Sequence, residues 1–173
     1  MNIDVEIDEK KEILNYIETL NLEEKLEEDL EIFIKNILEK AKLHEGIDSK
    51  VGIYVRITGN EEIREINREE RNKDMVTDIL SFPMYSREEI QNQNLEIYQD
   101  LEYPRELGDM ILNIFRVSEQ SVEYQTGIKR EIAYMIVHSF YHLLGYDHMI
   151  EEEKVEMRRK EEELLKELGM TRD

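Results

Sequence analysis

The chain has 173 residues and a hydrophobic fraction of 40%, which suit one globular domain with a single core over residues 1–173. It contains no cysteine, which excludes disulfides and thiolate metal sites, and no apolar run long enough to span a bilayer. The formal net charge of −19 argues against tight autonomous binding of RNA or DNA, because proteins that bind nucleic acid by themselves usually carry a basic patch.

The N-terminal part of the chain predicts a strand followed by two helices. Residues Ile3–Ile7 alternate apolar and acidic side chains, which is typical of a half-buried strand. A short helix is expected over residues 9–20. Asn21, with Glu24 three residues later, resembles a capping box that would begin a second helix, and that helix should end near Gly46.

The next part of the chain predicts a strand, a helix and a second strand. Alternate residues of the segment 51–58 are apolar and β-branched, which favours a strand. Asn60 is the expected N-cap of a helix that runs toward Arg71. Residues 77–85 predict a short strand that Pro83 ends or confines to a sheet edge.

The remaining elements complete the predicted fold. Residues 85–105 are polar and predict a mobile loop, whereas the nearly continuous apolar run 108–114 predicts a well-covered central strand. Helices are expected over residues 117–125, 129–144 and 151–168. Together the elements predict an α+β fold in which helices cover a small mixed sheet of about four strands. The N-terminal strand and helices would occupy residues 1–45, and the motif-bearing part residues 50–165.

Three of the four histidines of the chain fall within eleven residues, from His138 to His148. Because residues four apart share a helix face, His138 and His142 can direct their rings at one ion. Gly145 lets the backbone turn back after the helix, so that His148 can supply a third imidazole. Three imidazoles with one open position are typical of a catalytic zinc site, and the pattern therefore predicts a metal site. A structural zinc would need a fourth ligand, for which Asp147 is a candidate.

The spacing of these histidines is similar to that of the metal helix of zinc peptidases, which makes the helix zincin-like. Those enzymes place a glutamate, their general base, directly after the first histidine. This chain has Ser139 at that position. Peptide hydrolysis is therefore the second choice among enzymatic functions.

The segment VHSFYHLLGYDH, residues 137–148, resembles the signature helix of the YbeY family of metal-dependent endoribonucleases. Residues 66–83, 107–113 and 129–138 resemble further segments of that family, in the same order. The resemblance covers about residues 50–165. The departures, among them Ser139 and Tyr141 in the metal helix, remove none of the expected ligands.

The resemblance implies a small α/β protein with one zinc ion per chain, held by His138, His142 and His148. It implies a single-strand-specific endoribonuclease of the cytoplasm that matures ribosomal RNA, especially the 3′ end of the small-subunit RNA, and takes part in ribosome quality control. Arg71 is implied as the arginine that stabilises the charge of the phosphoryl transition state. Without the resemblance, Arg71 would be interpreted as an ordinary surface arginine at a helix end. Zinc would activate a water molecule or polarise a phosphoryl oxygen, and the sequence leaves both roles open.

The expected partners are ribosomal RNA and ribosomal proteins of the small subunit. Because the chain is acidic, we expect the ribosomal proteins to bring the RNA substrate to it. Neither DNA nor a membrane is expected as a partner. Two other functions remain open: a zinc hydrolase of another substrate, such as a peptide, and a non-catalytic ribosome-assembly factor with a structural metal.

Several further polar residues near the motifs have candidate roles. Asp147 either accepts an imidazole N–H or caps the turn. Glu131 either supports a metal ligand or, as we favour, pairs with Lys129 or Arg130. Asp109 is expected to order the start of its strand. The residues expected to shape the cleft are Thr77, Asp78 and Ser81.

Overall fold

A four-stranded sheet of mixed direction organises the protein in the computed structural model, which describes residues 2–23, 29–91, 96–98, 101–147 and 149–170. The spatial order of the strands is β1-β2-β4-β3. β2 pairs in parallel with both β1 and β4, and β3 pairs antiparallel with β4 at the edge of the sheet. The strands are β1 (Ile3–Ile7), β2 (Val51–Thr58), β3 (Ile79–Pro83) and β4 (Arg105–Asn113).

The four strands lie where the sequence predicts them, and β3 is an edge strand that ends at Pro83. A proline suits this position because its missing N–H interrupts no ladder of hydrogen bonds. β4 begins at Arg105, so Asp109 lies in the middle of the strand, opposite Tyr54 and Phe82. The expectation that Asp109 orders the start of the strand is therefore wrong.

Seven α-helices are present within the described ranges, and most of them match their predicted extents to within a few residues. Among these helices, none combines the length and the apolarity that a bilayer crossing requires. The helices are α1 (Lys11–Glu23), α2 (Leu30–Glu45), α3 (Asn60–Arg71), α4 (Arg87–Gln91), α5 (Ile114–Glu123), α6 (Ile128–Leu143) and α7 (Glu151–Glu167).

Two predicted N-caps differ from the structure, and α5 begins at Ile114, three residues before its predicted start. α1 continues through Asn21, so this residue does not cap the next helix; α2 begins at Leu30, and Glu24 of the predicted capping box lies outside the described residues. α3 begins one residue earlier than predicted, because Gly59 occupies the N-cap position and Asn60 is already helical. The predicted stop of α2 is confirmed, since Gly46 adopts the left-handed conformation with a φ of 70°.

The main core lies between one face of the sheet and the helices α2 and α6. Val51, Ile53, Val55 and Ile57 of β2 are all buried in it, as their alternation predicts. α6 is central to this layer, since most of its residues are buried. A smaller apolar cluster on the other face joins α3 to the edge of the sheet; its buried members are Ile63, Leu80 and Ile111.

The polar segment between β3 and β4 is more ordered than predicted. It contains α4 and a short 3₁₀ turn, Glu96–Tyr98. Ile90, Ile97 and Leu101 from this segment are at most 5% exposed and belong to the main core. Asp48 holds this segment in place through two hydrogen bonds. The backbone N–H of Asp48 donates to the carbonyl of Ile97, and the Asp48 carboxylate accepts from the N–H of Leu101. For its described residues, the prediction of a mobile loop is wrong.

Candidate active site

Two histidine rings meet at the C-terminal end of α6. His138 and His142 lie one turn apart, and their Nε2 atoms are 3.1 Å from each other. The chain then turns at Gly145, whose φ of 91° favours glycine, and the carbonyl of Tyr146 comes within 2.8 Å of His142 Nδ1. A carbonyl can only accept a hydrogen bond, so Nδ1 of His142 carries the proton and Nε2 of the neutral ring presents its lone pair.

The ring of His138 is oriented by a carboxylate from α7. Its Nδ1 lies 3.1 Å from Oε1 of Glu161, a side chain that is only 5% exposed. Because a carboxylate accepts the Nδ1 proton, the lone pair of the neutral His138 ring also lies on Nε2. Two lone pairs therefore face one point. Two imidazole nitrogens on a tetrahedral zinc, each about 2.0–2.1 Å from the metal, would be about 3.3 Å apart, so the donor pair fits a divalent metal.

The third predicted ligand, His148, lies outside the described residues. Among the residues that are described, no third His, Asp or Glu completes a metal-binding group with the two rings. The prediction of three imidazoles around one ion therefore stays a prediction.

Arg71 and the two described histidines line the same cleft, which has a volume of about 700 Å³. Arg71 ends α3, and one Nη atom donates to the carbonyl of Ser81 on β3. The carbon at the centre of its guanidinium is 5.3 Å from the centroid of the Phe82 ring. The cleft therefore holds an oriented guanidinium as well as the imidazole pair. Its lining also includes Thr77, Asp78 and Ser81, as predicted, and Lys73, Arg87 and Asp147.

Ser139, which occupies the position of the peptidase base, is fully buried. Its hydroxyl lies 2.6 Å from that of Ser81, so the pair joins α6 to β3. This position faces the sheet, and Ser139 is not among the residues that line the cleft. The structure thus agrees with the sequence argument against a peptidase built on this helix.

Two residues with alternative predicted roles have defined contacts. Asp147 accepts from the backbone N–H of Met149, which is the turn-capping alternative. Glu131 is buried near the start of α6 and accepts a hydrogen bond of 2.6 Å from the Thr126 hydroxyl.

Glu161 and Arg87 are site residues that the sequence reasoning missed. Glu161 lies in an acidic run and resembles its solvated neighbours. A signal was present, however: Met157, Glu161, Leu164 and Leu165 follow helical spacing, and all four are buried. Glu161 thus belongs to the inward stripe of α7. Arg87 lies in a segment without a recognisable motif, so no local signal pointed to the cleft.

A pair of converging imidazoles in a cleft of a small mixed α/β fold is typical of a metal-dependent hydrolase. Sequence comparison identifies the family within this class. The profile of the family described as Endoribonuclease YbeY matches residues 16–169. The chain belongs to this family.

Individual relatives agree with this assignment. The chain is 41% identical to Endoribonuclease YbeY of Bacillus cereus (strain B4264) over 156 residues, which cover 90% of this chain and 97% of the relative. It is 40% identical to Endoribonuclease YbeY of Clostridioides difficile (strain 630) over 154 residues, with 87% and 95% covered.

A solved structure shares the fold. The solution structure of TM1509 from Thermotoga maritima matches with a TM-score of 0.53 and 20% identity, over 96% of this chain and 91% of that one. The predicted family and the predicted four-stranded α+β architecture are therefore confirmed.

Proposed function

We propose that this protein is a single-strand-specific, metal-dependent endoribonuclease that matures ribosomal RNA, with the 3′ end of the small-subunit RNA as its main target, and that it takes part in ribosome quality control. Its membership of the YbeY family supports hydrolysis of RNA and implies a metal. The observation that carries the proposal is the cleft in which the converging His138 and His142 rings lie together with Arg71.

The metal in this proposal is one zinc ion per chain, held by His138, His142 and His148. When bound in such a site, zinc supplies Lewis acidity and an activated water molecule at neutral pH. Tyr146 and Glu161 hold the two described rings with Nε2 toward the cleft, so that no proton must leave Nε2 before a metal binds.

Arg71 has the role of stabilising negative charge on the reacting phosphate. A guanidinium can meet two phosphate oxygens at once, and its attraction strengthens as charge accumulates in the transition state. The Ser81 carbonyl and the Phe82 ring hold this side chain in place, which lowers the entropy lost when a substrate binds.

The charge distribution supports delivery of the RNA by partners. Asp and Glu number 42 against 23 Lys and Arg, so long-range electrostatics oppose capture of RNA from bulk solution. The cleft lining nevertheless has a small excess of positive charge, since three cations (Lys73, Arg71 and Arg87) stand against two carboxylates (Asp78 and Asp147). We propose that small-subunit ribosomal proteins bring the RNA within reach, in the cytoplasm, and that neither DNA nor a membrane takes part.

The test combines metal analysis with cleavage assays on the purified protein. We expect one zinc per chain, cleavage of single-stranded RNA, and little cleavage of duplex RNA or of peptides. His142→Ala should lose both metal and activity, whereas the control His44→Ala should keep both, because His44 pairs with Glu167 outside the cleft.

Arg71→Ala distinguishes an enzyme from a non-catalytic assembly factor. We expect this variant to bind metal normally, to keep its melting temperature and to lose RNA cleavage. Arg68→Ala, in the same helix but exposed, is the control and should cleave like the parent. Normal cleavage by Arg71→Ala, or cleavage of peptide but not RNA by the parent, would contradict the proposal.

A further inference from the structure

Arg87, the first residue of α4, lies in the wall of the cleft and outside every motif of the family resemblance. The carbon at the centre of its guanidinium is 3.9 Å from the centroid of the Tyr146 ring, which is itself only 6% exposed. At this distance the cation stacks on the aromatic face. One face of the guanidinium is therefore fixed against the turn that follows the metal helix.

The backbone of Arg87 is also fixed, because it packs closely against Gly145. A Cβ atom at Gly145 would lie 2.6 Å from the Cα atom of Arg87, so the two chain segments touch through a glycine. The turn that positions Tyr146 beside His142 thus also positions Arg87. Gly145 and Tyr146 therefore link the imidazole pair to Arg87.

The hydrogen-bonding groups of Arg87 are poorly satisfied for so well positioned a side chain. Its Nε atom is buried and has no hydrogen-bond partner among the described residues. One Nη atom donates to the Leu144 carbonyl, at the long distance of 3.4 Å. With Nε unsatisfied and only this long bond from an Nη atom, the guanidinium favours an anionic acceptor for its remaining N–H groups.

Arg71 and Arg87 differ in their ion pairing from most of the other arginines that the structure describes. In a chain with 42 acidic residues, five described arginines outside the cleft form ion pairs with carboxylates. Neither Arg71 nor Arg87 has a carboxylate within ion-pairing distance in the described part of the chain. The paired arginines are Arg56, Arg64, Arg68, Arg116 and Arg159.

We propose that Arg87 binds a phosphate of the single-stranded RNA, at a different position along the strand from the phosphate that Arg71 meets. The inference rests on the proposed function, because it assigns a second phosphate contact in the same cleft. Arg87 acts in substrate binding: it holds the strand, while Arg71 and the histidines act on the scissile bond. Its loss therefore raises KM and leaves kcat nearly unchanged.

The test compares the parent with Arg87→Gln, using a fluorescent single-stranded RNA with phosphorothioate linkages for binding and unmodified RNA for kinetics. The slope of log K against log salt is negative, and each lost phosphate contact decreases its magnitude by about 0.7 for single strands. We expect this decrease for Arg87→Gln, with about tenfold weaker binding at low salt. Arg159→Gln makes the same charge change on the exposed surface of α7 and should leave the slope unchanged.

Arg87→Lys separates a phosphate contact from a purely structural stack on Tyr146, because lysine keeps the charge and loses the planar group. We expect lysine to restore the parental salt slope even if both variants melt at a lower temperature. A parental slope in Arg87→Gln, an equal decrease in Arg159→Gln, or a slope that lysine does not restore would overturn the inference. If the parent itself neither binds nor cleaves RNA, the proposed function fails as well.

Discussion

Replacing Glu161 by glutamine tests whether the buried carboxylate prepares His138 for a metal. Glutamine has nearly the same shape as glutamate and is uncharged, so the packing of α7 should survive. Its amide can present either an oxygen or an N–H group to Nδ1, which weakens the preference for the tautomer with its lone pair on Nε2. We therefore expect Glu161→Gln to bind the metal less tightly than the parent does.

The structure sets the size of this effect. The contact from His138 Nδ1 to Glu161 is 3.1 Å long and lies where the carboxylate is 5% exposed. A hydrogen bond to a charged group in such a place contributes about 1.5–3 kcal/mol. Since about 1.4 kcal/mol corresponds to a factor of ten, metal affinity should fall about 10- to 100-fold, the range typical of residues that orient metal ligands.

Competition with a chromogenic chelator measures the affinity, and the melting temperature of the metal-free proteins checks the fold. Glu163→Gln is the matched control, because Glu163 lies on the same helix, is 51% exposed and pairs with Arg159. Equal affinities for Glu161→Gln and the parent would refute the orienting role of Glu161. Equal losses in both glutamine variants would instead indicate a general effect of charge.

Three further predictions concern the fold. Asp8→Asn should lower the free energy of unfolding by about 1 kcal/mol at neutral pH, because its carboxylate accepts two hydrogen bonds from Arg56. Gly145→Ala should destabilise the protein by about 1–3 kcal/mol and more than Gly127→Ala, since both residues have positive φ but only the Cβ at Gly145 would meet other atoms. Ile97→Ala should cost about 2–5 kcal/mol, because this side chain is fully buried in the main core. Urea denaturation measures all three.

The effect of Asp8 depends on pH with a defined sign. Burial raises the pKa of its carboxyl, but the hydrogen bonds from Arg56 and Thr58 outweigh burial and hold the pKa below its usual value of 3.8. The stabilisation is therefore fully present above that value and is lost as pH falls through the lower pKa of the folded state. A difference between Asp8→Asn and the parent that persisted unchanged at low pH would contradict this account.

Two results would contradict the other fold predictions. Equal stabilities for the two glycine variants would mean that the α4 backbone moves away without cost. A loss of stability below about 0.5 kcal/mol for Ile97→Ala would be typical of a surface substitution. It would contradict the packing of the 3₁₀ turn against the main core.

Much of the architecture could be predicted because its signals are local. The alternation in β2 and the apolar run in β4 follow from side-chain direction in a strand, whatever the rest of the chain does. The capping-box prediction at Asn21 failed for a reason that lies in the composition. In a chain with 42 acidic residues, a glutamate three positions after an asparagine arises easily without marking a helix start.

Other features depend on contacts between distant parts of the chain. Ile90, Ile97 and Leu101 are isolated apolar residues in a polar segment, and their burial requires the anchor at Asp48. The spacing of the two described histidines predicts that their rings meet. The tautomer of His138, by contrast, depends on Glu161, which is 23 residues away in sequence.

The position of β3 at the rim of the sheet has a consequence for how the protein behaves in concentrated solution. An outer strand with open backbone groups can pair with the same strand of another molecule. Here Arg71 occupies the Ser81 carbonyl, Pro83 offers no N–H, and on the opposite rim Asp4 and Glu6 give β1 like charges that repel a second copy. Loss of Arg71 should therefore favour intermolecular strand pairing, so an Arg71 variant is expected to aggregate more readily even where its melting temperature is unchanged.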